Sequence, residues 1–177
     1  RDVTVLFGDG AGAVIMEPAD DGSGVLAWSL HGDGTHAREL WAEAPTSKVM
    51  GRVTPEMLAE GRMYPQMNGR QVFKHATTRF PEVIHEVLEK AGKRLEDVAL
   101  VIPHQANKRI SDAVAKRLGV PEEKVFQNIQ RYGNTTAASV PIALAEAHDQ
   151  DLIKHGDLVV LVAFGAGFAW GAVALTW

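Results

Sequence analysis

The sequence predicts an α/β protein in which helices cover a sheet as the layers of a sandwich. Short apolar runs typical of buried strands alternate with segments whose apolar residues recur at helical spacing. The order is strand, helix, strand, helix and then two strands, which matches one half of a layered α/β/α sandwich. A chain of 177 residues that is 46% hydrophobic and 23% charged is long enough for one well-packed core.

The composition argues against several classes of function. A formal net charge of −4 is unlike the basic excess of general nucleic-acid binders, so any basic patch must be local. Because the chain contains no cysteine, these residues hold no disulfide, zinc–thiolate site or cysteine nucleophile. His31, His36 and Glu39 suggest a metal site only weakly, since the glycines between them favour a flexible loop. We therefore expect no metal.

The N-terminal region shows the weakest periodicity. Residues 1–7 lack the layout of a signal peptide, and residues 3–7 and 13–16 are predicted to be strands around a glycine-rich turn at 8–12. This turn lacks the lysine and the following helix of a phosphate-binding loop, which favours a hairpin. Residues 18–69 are predicted to form a long excursion outside the sheet.

Two helices and one strand follow. Asn68 is a plausible N-cap, Gly92 a stop, and Pro81 is expected to kink or divide the helix between them. An unbroken apolar run at 98–102 predicts a strand buried on both faces. The next helix carries its apolar face and its stop signals at Ile110, Val114, Leu118, Gly119 and Pro121.

The C-terminal third is predicted to complete the sheet. A short strand is expected around Val125 and Phe126, and a helix over 136–148 in spite of Pro141. Residues 158–177 carry no charge and are long enough to cross a membrane. Glycines at 165, 167 and 171 and the β-branched flanks favour two buried strands joined at a glycine turn.

Two polar blocks, at 102–107 and 132–139, each follow a strand-like run and open a helical one. Active sites of α/β proteins occupy such positions. His104 and Asn134 could direct two neutral hydrogen-bond donors at one carbonyl oxygen, which suits a reaction that passes through an oxyanion or enolate. Taken alone, the residue types favour a structural role for His104, a turn or cap role for Asn134 and a place in the core for Phe164.

Several segments together resemble β-ketoacyl-acyl carrier protein synthase III of bacterial fatty acid synthesis. They cover essentially the whole chain and occur in the family's order: Gly8–Ala13, Met67–Lys74, Pro103–Asn107, Gly133–Ser139 and Ala163–Gly171. The resemblance implies a thiolase-like fold of two similar halves, with this chain mainly the C-terminal half. Residues 1–20 would be the last strands of the N-terminal half, 21–69 a connecting and substrate-channel region, and 70–177 the C-terminal half.

The resemblance also implies a mechanism and a set of site residues. A cysteine on the missing N-terminal half would carry the acyl group, with His104 and Asn134 as the catalytic donors. Phe164, Gly165 and Ala166 would form the oxyanion turn and acyl-pocket gate. Coenzyme A or pantetheine would contact Met67, Asn68, Arg70, Phe73, Ala106 and Asn107. Acyl carrier protein would contact Gln105, Ala106, Asn107, Lys108 and Arg109.

The implied ligands are acyl-CoA and malonyl-acyl carrier protein, with coenzyme A thioester as substrate and no cofactor. A cytoplasmic homodimer is implied, with neither nucleic acid nor membrane as partner. Without the cysteine-bearing half, the chain is expected to be incompetent for the full reaction. Two alternatives stay open at this point: a non-catalytic homologue or binding subunit that lacks the cysteine, and a related type III condensing enzyme making polyketide or quinolone starters.

Overall fold

The computed structural model describes Val3 and residues 5–177. Within this part of the chain, the strands are β1 (Gly24–Gly32), β2 (Leu40–Trp41), β3 (Gln66–Met67), β4 (Val98–Pro103), β5 (Leu158–Gly165) and β6 (Ala169–Thr176). The helices are α1 (Pro55–Ala59), α2 (Gly69–Lys90), α3 (Lys108–Leu118), α4 (Ile129–Tyr132) and α5 (Ser139–Asp149).

A four-stranded mixed sheet forms the centre of the fold. Its order is β1-β6-β5-β4, with β4 and β5 parallel and the other two pairs antiparallel. Strands β2 and β3 pair separately. The uncharged C-terminal segment thus forms the expected pair β5 and β6. None of the helices in the described residues is long and apolar enough to cross a membrane.

Helices cover both faces of this sheet. Along β4, Val101 faces the core shared with α2 and α3, whereas Leu100 and Ile102 face the core shared with α5. Successive side chains of a strand point to opposite faces, so an apolar run buried on both sides is the sequence pattern of such a strand. The layered α/β/α arrangement is therefore confirmed.

Helix α2 begins where the sequence predicts. The Asn68 side chain accepts a hydrogen bond from the Gln71 backbone N–H at 3.4 Å, and Gly92 adopts a positive φ of 63° just beyond the helix. The prediction that Pro81 could divide the helix is wrong, because one helix runs through it. Proline has no N–H for the carbonyl of Thr77, and the Arg117 guanidinium of α3 donates to that oxygen instead, at 2.6 Å.

Helices α3 and α5 also match their sequence signals. The Asn107 side chain accepts from the Arg109 N–H at 3.0 Å, and Gly119 ends α3 with a left-handed φ of 70°. Pro141 lies in the first turn of α5, where a missing N–H leaves no helical hydrogen bond unmade.

The predicted N-terminal strands are not formed. In the described part of 3–7, only Phe7 makes a bridge, to Asn134, and residues 8–19 have no regular secondary structure. Arg1, Asp2 and Thr4 lie outside the described residues. Residues 13–16 are exposed, and within the described part of the chain no strand pairs with them. Similarly, Val125 makes only a single bridge, to Val101.

Strand β1 corrects the prediction that 18–69 lies wholly outside the sheet. It pairs with β6 and forms one edge of the sheet. Its buried side chains are the small Ala27 and Ser29, whereas Trp28 and Leu30 are 64% and 76% exposed. Because its large apolar side chains are not at the buried positions, its sequence lacks the alternating pattern that predicts a half-buried strand.

A charged network fastens β1 to α2. Glu86 accepts hydrogen bonds from Lys90 at 2.8 Å and from Ser29 at 2.9 Å, and it lies 2.6 Å from the His31 ring nitrogen. Hydrogen bonding, first from Lys90 and then from His31 and Ser29, lowers the pKa of Glu86 to about 2. The edge strand is thus held by polar contacts as well as by its pairing with β6.

Candidate functional site

The sheet brings His104 to the edge where the predicted gate lies. His104 directly follows β4, and its backbone N–H donates to the carbonyl of Val162 in β5 at 2.7 Å. Because β4 and β5 are parallel, their carboxyl ends meet at one edge, and Phe164 lies near the end of β5 at that edge. This edge is the candidate active site.

The His104 ring is positioned by α5. Its Nδ1 atom lies 2.6 Å from the hydroxyl oxygen of Ser139, the first residue of that helix. Burial lowers the pKa of His104, which favours the neutral imidazole. A neutral imidazole has one N–H donor and one acceptor nitrogen, so it can donate to an oxyanion without carrying a charge.

Asn134 is held by its backbone and by its side-chain oxygen. Its N–H donates to the carbonyl of Leu6 at 2.7 Å, and its own carbonyl accepts from the Gly8 N–H at 3.0 Å. The side-chain Oδ1 accepts from the Thr136 N–H at 2.9 Å. That contact assigns the amide orientation, because an N–H requires an acceptor, and it leaves the Nδ2 group as the donor end.

Gln105 ties the Asn134 loop, residues 128–139, to the end of β4. Its amide nitrogen donates to the carbonyls of Pro103 at 2.8 Å and Phe126 at 3.2 Å. Its amide oxygen accepts from the N–H groups of Asn128 at 3.0 Å and Ile129 at 3.2 Å. Gln105 is 2% exposed, so its assignment to a carrier-protein surface is wrong: the side chain is buried and occupied by backbone groups.

A carboxylate of α5 also binds side chains of this loop. Glu146 of α5 accepts from the side chains of Asn128 and Arg131, both at 2.7 Å, and from the Tyr132 hydroxyl at 2.5 Å. The Asn134 loop therefore contacts Gln105 at its start, His104 at its end and Glu146 between these points. This arrangement holds Asn134 in a loop anchored beside His104.

The predicted gate residues lie at the end of β5 and in the turn that joins it to β6. Phe164 is buried and packs against Phe168, with ring centroids 4.8 Å apart. Gly165 ends β5, and Ala166 is exposed in the turn. The turn thus presents backbone groups beside a buried aromatic pair, as an acyl pocket with an oxyanion donor requires, but its proposed roles stay predictions.

One predicted carrier residue, Arg109, lies beside one predicted pantetheine residue, Phe73, near the start of α2. The Arg109 guanidinium lies over the Phe73 ring, 5.7 Å from its centroid. Phe73 also lines an open pocket of about 480 Å³ with the cations Arg70, Lys74 and Arg117. Lys108 instead pairs with Asp112 at 2.8 Å, which partly neutralises it.

The remaining binding residues have structural partners. Met67 is half-buried against the core and Asn68 caps α2, while Asn107 caps α3 and Ala106 is half-buried beside it. Their predicted contacts with pantetheine stay predictions. Sequence reasoning missed Ser139 and Glu146, although Ser139 closes the Gly-Asn-Thr-Thr-Ala-Ala-Ser block that identified Asn134.

The whole described fold has counterparts among solved structures. Over its full length, the chain is similar to the crystal structure of 3-oxoacyl-[acyl-carrier-protein] synthase III from Aquifex aeolicus, with 46% identity and a TM-score of 0.88. The crystal structure of the beta-ketoacyl-[acyl carrier protein] synthase III from Thermus thermophilus gives 41% identity and a TM-score of 0.82. The fold is therefore thiolase-like.

Family models match both ends of the sequence. The model described as 3-oxoacyl-[acyl-carrier-protein (ACP)] synthase III C terminal matches residues 88–177, and that of 3-oxoacyl-[acyl-carrier-protein (ACP)] synthase III matches residues 1–34. The chain is also 48% identical to beta-ketoacyl-[acyl-carrier-protein] synthase III of Roseiflexus castenholzii. It belongs to the 3-oxoacyl-[acyl-carrier-protein] synthase III family.

The match covers only part of these relatives. All 177 residues align with the Roseiflexus protein, yet they account for 53% of its length. The corresponding shares are 52% of the Aquifex structure and 53% of the Thermus structure. The chain thus spans about half the length of the relatives that it matches.

Proposed function

We propose that this chain supplies the histidine and asparagine donors of a β-ketoacyl-acyl carrier protein synthase III. The complete enzyme would condense an acyl group from coenzyme A with malonyl-acyl carrier protein, releasing carbon dioxide. The observation that supports this proposal is the anchoring of both residues: the His104 ring contacts Ser139, and the Asn134 side-chain oxygen accepts from Thr136, which leaves the Nδ2 group as the donor end of the amide.

The proposed condensation has two steps. First, a cysteine thiolate on the part of the enzyme that this chain does not contain attacks the coenzyme A thioester, which forms the acyl–cysteine thioester, breaks the bond to coenzyme A and releases coenzyme A as its thiolate. Next, the bond between the malonyl carboxylate and its α-carbon breaks, carbon dioxide leaves, and the electron pair becomes a thioester enolate. The enolate carbon then attacks the acyl thioester, which forms the new carbon–carbon bond and releases the cysteine thiolate.

His104 and Asn134 suit the decarboxylation because both can donate without carrying charge. Negative charge moves from the departing carboxylate to the thioester oxygen during the reaction. Two neutral donors at that oxygen stabilise the transition state more than the starting thioester, which lowers the barrier. A cation at this place would also hold the departing carboxylate. A second oxyanion forms when the enolate attacks the acyl thioester. We propose that backbone N–H groups of the β5–β6 turn stabilise it.

An acidic carrier protein would dock on the basic surface around the start of α2. Arg109 lies over Phe73 beside the pocket lined by Arg70, Lys74 and Arg117. This local concentration of positive charge contrasts with the chain's net charge of −4. Opposite charges would speed encounter and fix the orientation of the carrier, while the pocket would receive its pantetheine arm.

Assembly and location follow the same family resemblance. We propose that the complete enzyme is a cytoplasmic homodimer and uses no cofactor beyond its coenzyme A thioester substrate. Light scattering on the purified complete protein would test the dimer, and a monomer at micromolar concentration would contradict it.

Asn134→Ala in the complete enzyme separates the chemical role of Asn134 from a structural one. Losing one oxyanion donor is expected to lower malonyl decarboxylation by about 10²–10³-fold, which corresponds to roughly 3 kcal/mol. Acylation of the cysteine needs no malonyl enolate, so it should change much less. Carbon dioxide release and mass spectrometry of the acylated protein measure the two steps.

Gln130→Ala is the matched control, because Gln130 is exposed in the same loop. It should leave both steps unchanged. Decarboxylation at the unaltered rate in Asn134→Ala, together with lost acylation, would contradict the assignment and make Asn134 a structural residue. A complete protein without a reactive cysteine would favour a non-catalytic binding subunit instead.

A further inference from the structure

Ser139 has a hydrogen-bond arrangement that limits how the His104 ring can be protonated. A serine hydroxyl offers one O–H donor and two acceptor lone pairs. The Gln105 backbone N–H donates to the Ser139 oxygen at 3.3 Å, which uses one lone pair. The hydroxyl lies 2.6 Å from His104 Nδ1. The proton between them belongs either to the hydroxyl oxygen or to Nδ1.

Burial decides the direction of that hydrogen bond. Ser139 is 2% exposed, so water is not freely available to its hydroxyl. Among the contacts of the described residues, His104 Nδ1 is the one acceptor at hydrogen-bond distance from this O–H group. If Nδ1 carried the proton, the serine proton would be buried without an acceptor, which is costly. The arrangement therefore favours O–H donation from Ser139 to an unprotonated Nδ1.

The position of Ser139 in the fold works in the same direction. It is the first residue of α5, an eleven-residue helix, and the N-terminal end of a helix carries partial positive charge. That charge disfavours a protonated imidazolium beside it. With Nδ1 unprotonated and the ring neutral, the single proton must be on Nε2.

We propose that Ser139 is a positioning residue that holds His104 in its Nε2–H tautomer, so that Nε2 donates to the enolate oxygen. Donation to the enolate oxygen rests on the proposed function, whereas the tautomer of His104 does not. In the other tautomer, Nε2 would direct a lone pair at the developing negative charge and would repel it. Ser139 would thus make His104 a donor without touching the substrate.

Nitrogen-15 NMR of the histidine rings in the complete protein tests the tautomer directly. The chain has seven histidines, so the His104 signals are assigned by their loss in His104→Gln. We expect an unprotonated Nδ1 and a protonated Nε2 near neutral pH in the unaltered protein. A protonated Nδ1 would overturn the proposal without recourse to any variant of Ser139.

Two variants then test the role of the hydroxyl. Ser139→Ala removes it, and we expect a mixture of tautomers and about tenfold slower malonyl decarboxylation, with cysteine acylation nearly unchanged. Ser139→Thr retains a hydroxyl and should restore both the tautomer and the rate. A purely structural role would lower stability in Ser139→Ala while the tautomer stayed as it was, which would contradict the proposal.

The measurements also separate this inference from the proposed function. If Ser139→Ala decarboxylates at the full rate with an unchanged tautomer, the role of Ser139 fails and the condensation proposal stands. If the unaltered complete protein does not decarboxylate a malonyl thioester, the proposed function and the chemical role of Ser139 fail together. The tautomer measurement then still decides the structural part.

Discussion

Replacing Gln105 with methionine should reveal how much of the stability depends on one buried amide. Methionine has a similar length and shape but can make none of the four hydrogen bonds between this amide and backbone groups. A typical intramolecular hydrogen bond contributes about 1 kcal/mol, so four give about 4 kcal/mol. Water reaching the half-buried Ile129 N–H should reduce the loss to about 3 kcal/mol.

Such a loss is a large fraction of the ~5–15 kcal/mol that stabilises an ordinary domain. Urea unfolding of the complete protein, followed by circular dichroism, measures it as a lower midpoint at unchanged slope. Gln130→Met is the control, because the Gln130 side chain is exposed, and it should change stability by less than about 0.5 kcal/mol. If Gln105→Met is as stable as this control, the four hydrogen bonds of the amide do not contribute this stability.

A second substitution at Gln105 tests the direction of its hydrogen bonds. Gln105→Glu can still accept from the two N–H groups, but when ionised it cannot donate to the carbonyls of Pro103 and Phe126 and repels them. We expect this variant to be less stable than Gln105→Met at neutral pH and to recover as the pH falls and its new carboxyl binds a proton. If stability does not recover at low pH, repulsion between the carboxylate and the two carbonyls is not the cause of the loss.

Three further predictions concern other surfaces of the fold. Arg109→Glu should lower kcat/KM for malonyl-acyl carrier protein by about tenfold at low salt. The loss should be smaller at high salt and with a small malonyl thioester as substrate. Equal losses with both substrates would instead place Arg109 in the active-site architecture. Arg117→Met should cost about 1–2 kcal/mol in urea unfolding, and less in a Pro81→Ala background, where the restored N–H can pair the same carbonyl; additive costs would contradict this pairing. Glu86 has a folded pKa of about 2, below its ordinary value of 4.5, so its contribution to stability is present above pH 4.5 and is lost as the pH falls towards 2. Glu86→Gln should therefore flatten the acid limb of a stability–pH curve, and an unchanged limb would rule out this linkage.

The sheet edge that carries the candidate site could be predicted from the sequence, as His104 and Asn134 illustrate. His104 follows an uninterrupted apolar strand and precedes a capped helix, so its position depends only on local signals. Asn134 could be placed by the helix that begins at Ser139. The apolar run of β4 and the capped helix α3 are clear local signals, and the structure places these elements and α5 within a few residues of their predicted bounds.

Features that depend on distant partners could not be predicted in the same way. Strand β1 buries alanine and serine and exposes its large side chains, so its membership of the sheet depends on β6 rather than on its own pattern. Gln105 was assigned to a docking surface because no local signal reveals that an amide is buried. Likewise, the continuity of α2 through Pro81 depends on Arg117, a residue of another helix.

The pairing of β1 with β6 has a consequence for biosynthesis. The two strands lie more than 130 residues apart in the chain, and β1 has no other strand neighbour in the described sheet. At ribosomal rates of about 5–20 residues per second, β1 would wait roughly 7–27 s for its partner. During that time its tryptophan and leucines and its unpaired backbone are open to other chains. Synthesis rate and chaperone supply should therefore influence the yield of folded protein more than the stability of the finished fold does.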